Sequence, residues 1–501
     1  MEQKLYTPIN SHNGYNLVMA YPACEAFALS SLGYMHLYKL ADLNKDINVE
    51  RVYTDSNKTF CDTEAVSFSM SFDFDFIGVF EILEKNKIPF LAEERSENFP
   101  IIFAGGPVIT TNPEPYKKFF DFMIIGDGEI VFEQVLSILK KRLTKIETLQ
   151  LVSEIDGVYV PNITKQVKKA TVELNNVIYT PILSDSSYFK DTFIIELSRG
   201  CMNRCAFCTA SYLNLPFRVY EYEKIESTID LGLMYTNKIA LLGAQISAHK
   251  DFDKIINYIS EKMNTQTIEL GVSSLRTDAV SSKLVQTLVK GGQKTSTIAI
   301  EAASERLRKV VNKNLKNEQI FNAVRISREN GLKGLKIYSM IGIPSETIED
   351  IEEFIVLAKK LKDENKGFNL AFSFSSFVPK PNTPLQWSKR EDNKSLEKKQ
   401  KFLEKELAKL GIESKFSSIK WDYWQTVLSR GDESLAPFLI DVYKNGGKIG
   451  AYKNAAKKFN IDTAKFIEGF NFSDKLAWDI VETYPNKQLL INECKRLAKY
   501  M

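Results

Sequence analysis

The sequence predicts an α/β protein in three parts: an N-terminal Rossmann-like doubly wound domain, a partial (β/α)6 barrel and a mostly helical C-terminal domain. Three observations lead there. The chain has 501 residues, more than one core organises, since domains run to about 100–200 residues. Strand and helix signals alternate through the first third and again from Phe193. After Pro379-Lys-Pro-Asn-Thr-Pro384 the composition shifts to charged helix. The resulting division is residues 1–165, a linker over 166–190, the barrel over 191–390, and the C-terminal part over 391–501.

In the first part Val18–Tyr21 reads as a short buried strand, and Glu25 to Leu40 has helical spacing with Phe27, Leu32, Met35, Leu37 and Leu40 apolar. Strands follow at Ala65–Met70, Ile101–Ala104 and Phe122–Ile125, with a helix at Phe76–Leu83 and another opened by Glu129. Gly105-Gly106-Pro107 and Gly126-Asp127-Gly128 stop the last two strands. Alternation of this kind builds a parallel sheet, which takes ligands beyond its carboxyl ends, where both glycine turns fall. Gly157–Pro161 and Val177–Pro181 read as short strands of a connection.

The second series has strands at Phe193–Leu197, Lys238–Leu242, Thr267–Val272, Thr297–Ile300, Gly334–Ile341 and Leu370–Phe377, with helical patterns between. Six strand–helix units make a barrel or part of one, with its active centre at the carboxyl strand ends. The charged helix Glu391–Leu410 and a mixed, mostly helical region from Lys415 complete the chain. Trp421, Trp424 and Trp478 are expected in a core.

Net charge is +3, from 66 Lys and Arg against 63 Asp and Glu, so no overall field draws in nucleic acid or an acidic membrane. The lysines between Lys394 and Lys409 read as a solvated helix face paired with Glu397, Glu404 and Glu406. No apolar run approaches the roughly 20 residues of a membrane span. The opening residues Met1 to Pro8 lack the apolar core of a secretory signal. Three of six cysteines crowd into eight residues, unlike a secreted disulfide framework, and such thiols fit a reducing cytoplasm.

Those three, Cys201-Met-Asn-Arg-Cys205-Ala-Phe207-Cys208, carry the chemistry. Such spacing arises by chance about once in a thousand chains of this cysteine content. Three thiolates can hold three irons of a 4Fe–4S cube and leave the fourth open for a substrate. Zinc needs a fourth ligand, and the only histidines are His12, His36 and His249. The loop follows the strand Phe193–Leu197 through Ser198-Arg-Gly200, and Gly200 permits a sharp turn. Phe207 would shield the cluster, and Arg199 or Arg204 would offset its charge. Cys24, Cys61 and Cys494 are scattered and read as core or surface residues.

The cysteine motif at the end of a first barrel strand looks like that of the radical S-adenosylmethionine superfamily. Ser273-Ser-Leu-Arg276, Ile300-Glu-Ala-Ala-Ser-Glu-Arg-Leu-Arg308, Met340-Ile-Gly-Ile-Pro-Ser-Glu346 and Phe377-Val-Pro-Lys-Pro-Asn-Thr-Pro384 extend the likeness. With Gly105-Gly-Pro and Ile125-Gly-Asp-Gly-Glu129, they resemble the subgroup with a cobalamin-binding-like domain before the barrel. The resemblance covers roughly residues 15–390. It implies a 4Fe–4S cluster on Cys201, Cys205 and Cys208, S-adenosylmethionine chelated at the open iron, and reductive cleavage to methionine and a 5′-deoxyadenosyl radical. It also implies an electron donor such as a ferredoxin or flavodoxin.

By position, the resemblance assigns cosubstrate contacts. Gly243 falls where the family's Gly-Gly-Glu meets the methionine amine, although this chain reads Gly243-Ala244-Gln245. Ser274 and Arg276 leave the next strand, and Arg276 either grips the carboxylate as a bidentate fork or is an ordinary surface arginine. Glu301 meets either a ribose hydroxyl or a salt bridge from Arg306 or Arg308. Gly342 and Ile343 lie where the family passes backbone along adenine.

Cobalamin stays open. No histidine carries the Asp-x-His-x-x-Gly context of a cobalt ligand, and His36 reads as packing or surface on a helix. The glycine turns serve either a large ligand or merely the bends of an empty domain. The alternatives are a radical methyltransferase using cobalamin, a cobalamin-free radical enzyme of rearrangement, sulfur-insertion or C–C type, and a non-catalytic iron–sulfur protein. No motif marks the substrate.

Overall fold

The computed structural model describes residues 2–9 and 13–501, and His12 lies outside the described residues. The first sheet runs in the order Ile47–Tyr53, Tyr15–Tyr21, Ala65–Ser69, Ile101–Gly105, Phe122–Ile124, Val158–Tyr159. All pairs are parallel except the last. By chain order this is 2-1-3-4-5 with an antiparallel edge, a doubly wound arrangement whose switch point lies between Tyr15–Tyr21 and Ala65–Ser69. The strand Ile47–Tyr53 went unread in the sequence, although its apolar Ile47, Val49 and alternating polar neighbours carry a period of two. The segment Glu25–Leu40 is not one helix: Glu25–Ala28 stops, and Leu32–Asp42 starts at Ser31. Val177–Pro181 forms only a bridge, Tyr179 to Ile195. The neighbouring Ile182–Ser184 pairs instead with Glu2–Lys4.

Alternation sends the strand residues to two cores. Leu17, Met19, Phe103 and Ile124 pack with the helices Leu32–Asp42 and Gly128–Leu139. Val18, Ala20, Val66, Phe68, Ile102 and Ala104 pack with Phe76–Lys85 and with helices from the C-terminal part, through Trp424, Leu428, Phe438, Leu439 and Tyr452. The C-terminal helices are therefore one cover of the first sheet, since a doubly wound sheet must be covered on both faces. Trp424 and Trp478 are buried, and Trp421 packs partly buried against the same core.

The second series forms a wall of two parallel sheets. Phe193–Glu196, Lys238–Leu242 and Glu269–Val272 make one; Leu275–Arg276, Thr295–Glu301, Gly334–Ile341, Asn369–Ser376 and Glu413–Phe416 make the other. The chain changes sheets at Ser273-Ser274. The charged helix, Asn393–Lys409, returns onto this wall through Leu396, Leu403 and Leu407 and feeds the strand Glu413–Phe416. It thus adds a further strand–helix unit to the barrel. Its Lys399 is not on a solvated face: it is buried against Glu346 (2.8 Å) and Glu391 (2.6 Å). No helix among the described residues is long and apolar enough to cross a membrane.

Three parts of the chain meet at Asp73. Its buried carboxylate accepts from Lys380 (2.7 Å), Gln425 (2.9 Å) and Ser429 (2.6 Å). Removing one member of a buried ion pair strands the other. Asp73→Ala is expected to cost about 3–5 kcal/mol, read from urea unfolding of the metal-free protein.

Candidate active site where the two sheets face each other

The cysteine loop begins as Ser198–Arg199, which pairs antiparallel with Arg218–Val219 and closes the segment between into a lobe. Gly200 has φ +83°, and a Cβ there would sit 2.4 Å from the Asn214 carbonyl oxygen, so glycine is required. The loop has few apolar residues of its own and is held by others. The backbone of Ala206 donates to Val311 O (2.9 Å) and accepts from Leu385 N (3.1 Å). Ala206 and Phe207 pack with Ala302, Met340, Ile343, Phe377 and Leu497. Tyr212 Oη and Asn312 Nδ2 both donate to the Arg204 carbonyl.

Cys201 and Cys205 are buried, at 7% and 9% exposure, and Cys208 is partly buried. Burial pushes the Cys205 thiol up to about 12, with Lys313 opposing and Cys208 adding to the rise. Burial likewise raises Cys208, against hydrogen bonding from Ser211, with Cys201 adding to the rise. Cys208 thus stands near enough to both other sulfurs for charge to act between them. Among the described residues no three His, Cys, Asp or Glu gather tightly enough for a single metal ion. By its chemistry the donor set suits a 4Fe–4S cube, three thiols in one loop for three irons with the fourth left open.

The other expected residues fall into two groups. Ile343 joins Phe207 in the apolar packing under the loop. Glu301 ends its strand at a bulge with φ +66°, and Arg276 lies close enough for its charge to act on Cys205. Glu301 pairs with Lys313 (2.8 Å), not with Arg306 or Arg308. Arg276 is held by Asp278 (2.6 Å). Arg308 is fully buried on the carbonyls of Ala302, Ala303 and Leu315. Arg306 braces the turn after Gly334–Ile341, bonded to Ser345, Asp350 and the Tyr500 carbonyl. Ser274 is exposed at the break between the two sheets. Gly342, at φ +79°, donates to Glu346 (2.7 Å), whose carboxyl burial lifts to about 7. Gly243 sits against Ser198, whose buried Oγ has no partner.

The two arginines expected to offset the cluster's charge are placed differently. Arg204 is exposed. Arg199 is held by Glu196 (2.9 Å), Asp127 (3.2 Å) and Glu129 (2.8 Å). The cations that reach Cys205 are Lys313 and Arg276.

Behind the loop lies a cavity of about 510 Å³. Its floor is the carboxyl ends of the first sheet, at Met19, Ser67, Phe68, Ser69, Phe103, Gly105 and Ile124; its far wall is Glu196, Arg199, Thr209, Ala210, Leu213, Asn214 and Leu242. This is the switch-point crevice of a doubly wound sheet. The glycine turns line this cavity at Gly105, Gly106, Gly126 and Gly128, and two of them are obligatory bends: Cβ atoms at Gly106 and Gly126 would strike the Met70 and Ala170 carbonyls at 2.5 and 2.3 Å. Room lies instead at Gly33, whose added Cβ would meet nothing within 4 Å. Apolar rings beside a row of Ser and Thr hydroxyls suit a large, partly polar cofactor, and cobalamin fits that surface.

His36, read as packing or surface, lines this cavity. Burial lowers it to about 4, partly opposed by Glu129. His249 is buried elsewhere, its Nε2 2.9 Å from the Tyr220 carbonyl oxygen.

A strand-end cysteine loop over a (β/α) wall, backed by a doubly wound sheet, defines an iron–sulfur barrel enzyme. This chain belongs to the radical S-adenosylmethionine superfamily. Residues 34–161 match the family described as radical SAM proteins, N-terminal, and 195–358 the radical SAM superfamily. An uncharacterized protein of Methanocaldococcus jannaschii is 30% identical over 439 residues, 86% of this chain and 91% of that protein. An uncharacterized methyltransferase of Pyrococcus horikoshii is 26% identical over 333 residues, 63% of this chain and 69% of that protein. The fold is shared with the cobalamin-dependent S-adenosylmethionine radical enzyme OxsB with aqua-cobalamin bound (TM-score 0.55, 13% identity, 97% of this chain and 80% of that one). It is also shared with the radical methyltransferase TsrM of Kitasatospora setae, with cobalamin and a [4Fe-4S] cluster bound (TM-score 0.50, 13% identity, 72% of each chain).

A histidine whose folded pKa is depressed contributes stability that is present above its ordinary value and lost as pH falls through the folded one. Between pH 7 and 4.5 the parent should therefore lose about 2–3 kcal/mol more than His36→Gln, measured by urea unfolding of both metal-free proteins.

Proposed function

We propose that this enzyme is a cobalamin-dependent radical S-adenosylmethionine methyltransferase, with its cluster on Cys201, Cys205 and Cys208 and its cobalamin in the cavity behind the loop. The observation carrying this is the shared wall: Thr209, Ala210, Leu213 and Asn214, in the segment that continues directly from Cys208, line the cavity of the first sheet. A cobalamin-free enzyme would not need that crevice to share a wall with the segment that follows the cysteines.

When bound, the cluster supplies the electron that cleaves S-adenosylmethionine to methionine and a 5′-deoxyadenosyl radical. Cobalamin, when bound, supplies a carrier for the methyl group. The chain's own part is to position and to exclude water. Ile343, Phe207 and Ala302 close an apolar side, and Gly342 and Ile343 offer backbone to the adenine. Arg276, oriented by Asp278, offers its remaining N–H groups to the methionine carboxylate. Glu301, with one oxygen on Lys313, keeps the other for a ribose hydroxyl. Gly243 offers its backbone to the methionine amine, and Ser274 its hydroxyl to the cosubstrate. Arg306 acts on the adenosyl side only by holding the Ser345 turn. The electron comes from a small carrier such as a ferredoxin or flavodoxin, and crowded thiols fit the reducing cytoplasm.

Purified without oxygen and reconstituted, the protein should take up iron and cobalamin and, with reductant, release 5′-deoxyadenosine from S-adenosylmethionine. Cys205→Ala should lower iron content and 5′-deoxyadenosine release by at least tenfold while cobalamin absorption persists. Retention of cluster and turnover in that variant would refute the assignment. Gly33→Phe, which fills the free space at the cavity, should abolish the cobalamin absorption bands yet leave iron content and cosubstrate cleavage within twofold. Unchanged cobalamin uptake would move the cofactor out of this cavity.

A further inference from the structure

The three cysteines do not share one environment. Cys205 is surrounded by full charges, Lys313, Glu301 and Arg276. Cys201 instead lies between two neutral amides from different elements. Asn203, on the loop itself, donates from Nδ2 to Cys201 Sγ at 3.5 Å. Gln245, just past the strand Lys238–Leu242, has Oε1 3.6 Å from the same sulfur and is bonded to Asn203. All three side chains are withdrawn from full solvent exposure.

We infer that Asn203 and Gln245 are positioning residues that tune the cluster, by donating hydrogen bonds to the Cys201 sulfur. This rests on the cysteines holding a cluster. In the metal-free chain the Cys201 thiol is a donor and Gln245 offers it oxygen. On iron the sulfur is a thiolate and only accepts. Each amide has two N–H donors, and rotation about the last side-chain torsion is soft, so Gln245 can turn its nitrogen to the sulfur. Hydrogen bonds to a cluster sulfur favour the more negative, reduced cluster and raise its potential. A carboxylate at 245 would do the opposite, placing charge beside a thiolate. A neutral side chain at this position makes the cluster easier for a donor to reduce.

The test is a potentiometric EPR titration of reconstituted full-length protein without cosubstrate, with iron content measured on every sample. Asn203→Asp and Gln245→Glu should each give an about tenfold lower ratio of reduced to oxidised cluster at the parent's midpoint, a shift of about 59 mV to more negative potential. Gln245→Met, of similar size and unable to donate, should move the same way by less, and it carries the test if a carboxylate blocks assembly. Midpoints unchanged at parental iron content overturn this inference and leave the iron–sulfur reading standing. A parent that takes up no iron overturns both. Weaker S-adenosylmethionine binding with an unmoved midpoint assigns Gln245 to the cosubstrate and overturns the tuning role.

Discussion

The geometry of this enzyme depends on one largely enclosed guanidinium, Arg199, whose side chain is 14% exposed. Withdrawing Arg199 from water costs several kcal/mol unless it is fully paired. It is paired to Glu196 at the end of the preceding strand and to Asp127 and Glu129 on the first sheet's glycine turn. Arg218, on the strand that closes the cysteine lobe, also binds Asp127 (2.6 Å). Lys169 stands nearby, close enough for Asp127 to act on it. Three acids thus face three cations across the junction of the two sheets. Arg199 is two residues ahead of Cys201, so the pairing sets where the cysteine loop lies against the carboxyl ends of the first sheet.

The loop in turn relies on packing supplied from far along the chain. Its own apolar side chains are too few to hold it. The final helix, Lys487–Ala498, contributes Leu497 beside Ala206, and Cys494, Leu490 and Ile491 beside Tyr212. The region after residue 418 is therefore structural support: it covers one face of the first sheet and braces the lobe carrying the cysteines. That explains the buried Cys494 as a core residue.

How much was legible follows from which forces are local. Strands with strong periodicity, such as Gly334–Ile341, stand where the pattern puts them, and three cysteines in eight residues need no tertiary information. Partners are different. Lys313 was not a candidate for Glu301, because twelve residues and a helix separate them and only a bulge at Glu301 aims one at the other. Lys399 looked like one of a run of lysines, yet it sits three residues after Leu396 and four before Leu403, on the apolar stripe of its helix. That spacing was a readable signal of burial. Nothing local could place His36 or Gln245, whose neighbours come from other elements. The break between Ala28 and Leu32 was missed because the apolar spacing continues across it while the backbone does not.

The charge distribution around the cysteines also has a logic. On the Cys205 side the groups are full charges in fixed pairs, Glu301 with Lys313 and Arg276 with Asp278. Such pairs set a net charge that cannot change without stranding a partner. On the Cys201 side the groups are amide dipoles, free to reverse by rotating about a soft torsion and costing no buried charge when they do. That side belongs to the strand Lys238–Leu242, whose last residue also lines the cavity.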